Sequence, residues 1–91
     1  MFVIMVTQHY HGGASFNRIL AGKDAGKPSK FCTLESAKIR VQQIEELHTY
    51  SAGVLECRYP TFRVYDELFL PRTLRKAVAA NTLPSSLLFR L

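Results

Sequence analysis

Cysteine is scarce in this chain, with two among 91 residues, Cys32 and Cys57. Small secreted domains held by disulfides usually carry about four or more. A disulfide framework is therefore excluded, and each cysteine is expected as a small buried hydrophobe with a reduced thiol. Long apolar runs are missing too. Phe2 to Val6 is too short for a signal-peptide core, and no basic stretch precedes it. Nothing approaches the roughly 20 residues of a membrane-spanning helix. These absences point to a cytoplasmic protein with no membrane partner. Catalytic signatures are absent as well. There is no G-x-S-x-G turn, no H-E-x-x-H and no telling acid pair. Gly22 to Lys27 imitates a phosphate loop, but its second Gly comes one residue early. Pro28 replaces the needed Ser or Thr and removes a backbone donor. No enzyme activity, cofactor or metal is expected.

What is present suits one compact domain over residues 1–91, with 47% hydrophobic and 21% charged residues. A chain of this length buries about 60–65% of its unfolded surface, so the core is small. Met1 to Thr7 reads as a strand. Phe2, Ile4 and Val6 on one side and Val3 and Met5 on the other make both faces apolar, as in an interior strand. Gln8 to Gly13 reads as a turn, with freedom from Gly12-Gly13, and Ser15 to Ala21 as a weaker strand. Gly22 to Lys30 is a loop. Thr33 reads as the N-cap of a helix reaching about His48, with Leu34, Ala37, Val41 and Ile44 forming its apolar stripe. Residues 51–60 stay open between strand, loop and short helix, with Pro60 ending or bending any strand. Thr61 to Asp66 is the better strand. A second helix starts at Leu70-Pro71, turns Leu74, Ala77 and Val78 inward and closes on Asn81 as a left-handed cap. The tail from Ser85 to Leu91 reads as a final strand or as a docking segment, including one for a homodimer. The expected class is α+β: a small antiparallel or mixed sheet of three to four strands, two helices on one face, in a layout approaching ferredoxin-like.

The charge of +5 is uneven. Residues 1–32 carry net +3, the middle is slightly acidic, and residues 71–91 carry four cations and no acid. If the two ends meet, they form one positive face for an anionic partner. Arg72, Arg75 and Lys76 span about 100° of the second helix. Lys23, Lys27 and Lys30 of the loop are expected to extend that face. Ile39 lies opposite the apolar stripe of the first helix and is a candidate partner anchor. Tyr59, Arg63 and Tyr65 form an aromatic and basic group of the kind that stacks bases, without an RNP-like motif. His9 and His11 form an H-x-H pair, but no cysteine pair at zinc-like spacing completes a site.

A start in a strand (MFVIMV), a compact capped helix (TLESAKIRVQQIEEL) and the lack of catalytic motifs resemble the small accessory proteins of bacteriophages and mobile elements, anti-CRISPR-type inhibitors among them. The resemblance is one of layout and carries no site residue. It implies a non-catalytic binder that docks on a macromolecular host complex and modulates or inhibits it. Direct binding of DNA or RNA through the basic helix face and the Lys loop is the competing expectation.

Overall fold

The computed structural model describes residues 1–10, 12–51 and 57–90, and the side chains of all of these but 48–51 and 57–59. The order is β1 (Phe2–Tyr10), β2 (Ser15–Leu20), α1 (Leu34–Ser51), β3 (Cys57–Asp66), α2 (Arg72–Ala79) and β4 (Leu88–Phe89). Single 3-10 turns, Glu67–Phe69 and Ser85–Leu87, precede α2 and β4. The four strands form one mixed sheet in the order β3-β1-β2-β4. β1 is antiparallel to both β2 and β3, and β4 runs parallel to β2. The α+β class is as expected. The ferredoxin-like arrangement is not found, because the chain runs β-β-α-β-α-β and β1 and β2 are neighbours in the sheet with no helix between them.

β1 is the interior strand that its two apolar faces called for. Its successive side chains serve two separate cores. Val3 and Met5 pack with Ile19, Leu74, Val78 and Leu88. Ile4 and Val6 pack with Leu20, Ile44, Phe62 and Phe89. The helices therefore cover opposite faces, α2 one and α1 the other, and the expectation of both helices on one face is corrected. Fully burying a side chain such as Ile4 or Val3 contributes about 1.5–3 kcal/mol, so leaving either face bare would be costly.

Local signals set the ends of these elements. Thr33 caps α1, its Oγ1 accepting from the Ser36 amide at 3.1 Å. Asn81 follows α2 with φ 55°, the left-handed cap expected of it. β1 runs on to Tyr10, three residues past the expected Thr7, because Gly12 and Gly13, at φ 91° and 86°, hold the hairpin turn beyond it. Pro60 does not end a strand. β3 passes through it where the register slips between Thr7↔Thr61 and His9↔Arg58, giving β3 one extra residue. Such a bulge on a sheet edge accommodates a residue with no amide hydrogen. Residues 52–56 of the stretch left open at 51–60 lie outside the described residues.

The tail belongs to the core. Leu88 and Phe89 are buried, and Phe89 meets Phe62 edge to face at 5.7 Å. The apolar tail of the homodimer expectation is thus spent inside the domain, apart from Leu91, which is not among the described residues. Cys32 is exposed, contrary to the expected burial, because it lies between Phe31, which turns inward, and the helix cap. The side chain of Cys57 is not among those described. Among the described residues, no helix is long and apolar enough to cross a membrane.

Candidate functional site

The two basic ends of the chain do meet, at the end of the sheet where β1 starts and β2 and β4 finish. The amide of Leu83 donates to the carbonyl of Gly26 at 2.7 Å, tying the segment after α2 to the lysine loop. Ala21 bonds the carbonyl of Phe89 at 2.9 Å, which brings Arg90 to the same loop. A cleft of about 690 Å³ lies there, with Lys23, Arg40 and Arg90 on its walls and Asp24, Ser29 and half-buried Phe31 beside them. Among the described residues, three cations from a loop, a helix and the tail thus line one cavity with a single carboxylate. Arg40 and Arg90 are not apparent in the sequence. Arg40 stands about 40° around α1 from Ile44, at the border of the apolar stripe, and Arg90 is a lone cation in an apolar tail.

The cations named from sequence do not form one face. Lys23 enters the cleft. Lys27 is exposed on the same loop. Lys30 turns away to Glu67, 3.4 Å from its Oε2. That oxygen is buried and has no hydrogen bond, so the Lys30 charge is what offsets its desolvation. Lys30 is therefore removed from the binding set. Arg72, Arg75 and Lys76 are all exposed on α2, while Leu74 and Val78 beneath them are buried. Because α2 and α1 cover opposite faces, these three cations lie on the other side of the sheet from Arg40. Ile39 is 52% exposed on the outer side of α1, apart from them.

A second feature adjoins the cations of α2. Leu68 and Phe69, in the 3-10 turn just before it, are 68% and 79% exposed. Two hydrogen bonds hold the turn. Asp66 caps it, its Oδ1 accepting from the Leu68 amide at 3.1 Å, and the Glu67 amide donates to the Met1 carbonyl at 3.0 Å. Met1, itself 58% exposed, is thereby brought to the same turn. The run ELFLP carries no polar spacing that marks two of its residues as outward, so periodicity alone does not find this patch.

Of the remaining candidates, Tyr65 and His9 are among the described side chains. Tyr65 is half-buried and packs against the α2 core, and the side chain of Tyr59 is not among those described. His9 is exposed with Nε2 3.3 Å from Thr61 Oγ1, and His11 lies outside the described residues. Among the described residues no three His, Cys, Asp or Glu side chains group as a metal site. Arg18 is bound by Gln8 and donates to the Ser86 carbonyl at 3.1 Å, so it fastens β2 to the turn before β4. Comparison with known protein families, curated proteins and solved structures finds no match to this chain.

Proposed function

We propose that the protein is a non-catalytic binding protein that docks on a macromolecular complex and modulates it through the surface formed by Phe69 and α2. One observation carries this reading. The most exposed large apolar side chain among those described, Phe69, stands three residues before a helix whose outward face holds Arg72, Arg75 and Lys76 without an acid. An aromatic anchor with arginines at its border is the composition that dominates binding energy in protein interfaces. The complementary surface is an apolar pocket with an acidic rim.

The test is a photo-crosslinking amino acid placed at position 68, with capture from cells that naturally contain the protein. One specific protein should be crosslinked, and the double variant Phe69→Ala, Arg75→Glu should lower its recovery at least tenfold, as for loss of a residue worth about 2 kcal/mol. Undiminished recovery of the same partner with the double variant would refute the reading.

The cleft supports a second reading, binding of DNA or RNA by Lys23, Arg40 and Arg90. It predicts that affinity for a labelled oligonucleotide falls with salt at a log–log slope near −2 to −3, as expected for about three neutralised phosphates. Arg40→Glu with Arg90→Glu should abolish the slope, whereas Phe69→Ala should leave it unchanged. Absence of oligonucleotide binding at low salt rules this reading out.

A further inference from the structure

We propose that the open edge of β3, with the apolar groove between it and α1, binds an extended acidic-apolar peptide from a partner protein by strand addition. The groove lies on the α1 side of the sheet, while Arg63, paired with Met5, shares the opposite face at the same edge. β3 is the outer strand of the sheet, paired on one side by β1. The direction of its backbone groups follows from β1. Phe2 exchanges both backbone bonds with Phe31, at 2.8 Å each, so its amide and carbonyl point away from β3. Alternation along an antiparallel pair then aims those of Val3 and Met5 at Tyr65 and Arg63. Val64 is left with its amide and carbonyl on the open side, ready to pair with another chain.

Beside this edge runs a groove of about 510 Å³. Val64 and Phe62 form one wall, and Leu34 and Val41, two turns apart on α1, form the other. Leu34 was expected in the core but is 43% exposed here, on the wall of this groove. Lys38 and Arg63 also line the groove, and no ion pair to either is found among the described residues. An added strand would place alternate side chains over Leu34 and Val41 and the intervening one beside Arg63. The matching peptide therefore reads apolar, acidic, apolar. Charge disfavours a second copy of this chain paired about Arg63. Antiparallel pairing of β3 with itself about Arg63 would set two arginines against each other, and like charges opposite one another destabilise a sheet.

The probe is a fluorescein-labelled, end-capped octapeptide, Ser-Thr-Val-Glu-Val-Glu-Thr-Ser, titrated by anisotropy against the whole protein. Saturable binding is expected. Methylating the amide nitrogens of its two valines, which keeps the side chains but removes hydrogen bonds to the edge, should weaken it at least roughly tenfold. Arg63→Glu, an exposed substitution whose fold is verified by circular dichroism, should weaken binding of the acidic peptide by roughly tenfold. Replacing both glutamates of the peptide by lysine should restore binding to that variant. Any of three results overturns the proposal: no saturable binding, equal binding of the methylated peptide, or a β3-mediated dimer in sedimentation that Arg63→Glu strengthens or dissolves.

Discussion

Thr33 shows how much one side chain decides at the residue scale. Its hydroxyl satisfies the Ser36 amide, and its carbonyl accepts from the Ala37 amide at 3.3 Å, so α1 begins on a fixed geometry. Thr33→Ala should cost about 1 kcal/mol in urea unfolding, and Thr33→Ser should restore most of it. Gly22 is held by a different constraint. A β-carbon there would lie 3.0 Å from the carbonyl oxygen of Pro28 and 3.3 Å from that of Lys27. Both neighbours are backbone, so neither can swing aside. Gly22→Ala should destabilise by roughly 1–3 kcal/mol, as overpacking does, and should also displace Lys23 from the cleft. The two effects are separable by comparing the melting temperature with oligonucleotide affinity.

At the scale of elements, β4 is two residues long yet closes the sheet. Its Phe89 is 9% exposed and packs on Phe62 across the β2 and β1 strands, while Leu88 serves the opposite core. Phe89→Ala should cost about 3 kcal/mol, a large share of the stability of a domain this size. A mere surface tail would lose nothing measurable. Limited proteolysis offers the same distinction, with cleavage after Phe89 accelerated in the variant. The same element explains a limit of sequence reading. The apolar run SSLLFRL suits a strand or a docking segment equally. Its place was settled by the parallel pairing Ile19↔Leu88 and Leu20↔Phe89, between positions 69 residues apart.

For the whole molecule, β1 joins two cores that share no side chain. Neither core survives loss of this strand, so both should melt together. Val78→Ala, beneath α2, and Ile44→Ala, beneath α1, should each lower a single unfolding transition, with tyrosine fluorescence and far-ultraviolet circular dichroism coincident. Separate transitions would show that one helix can leave while the sheet remains. The same architecture divides the charge of +5. The α2 cations lie on one helix face and Lys23, Arg40 and Arg90 line a cleft at the end of the sheet, giving two basic surfaces of different shape in place of one face.

The sequence by itself determined the elements whose causes are local. The cap at Thr33, the left-handed residue at Asn81, the inward Leu74 and Val78 and the interior character of β1 all follow from near neighbours in the chain. The two apolar faces of β1 even implied cover on both sides, which the one-sided packing of helices did not respect. Only the tertiary structure decided what depends on distant pairs: the bulge that carries Pro60 through β3, the ion pair that withdraws Lys30, and the meeting of Arg40 with Arg90. Spacing along a chain reports a face of a single element. Which faces meet is decided by the packing that removes the most apolar surface from water, a property of all the elements together.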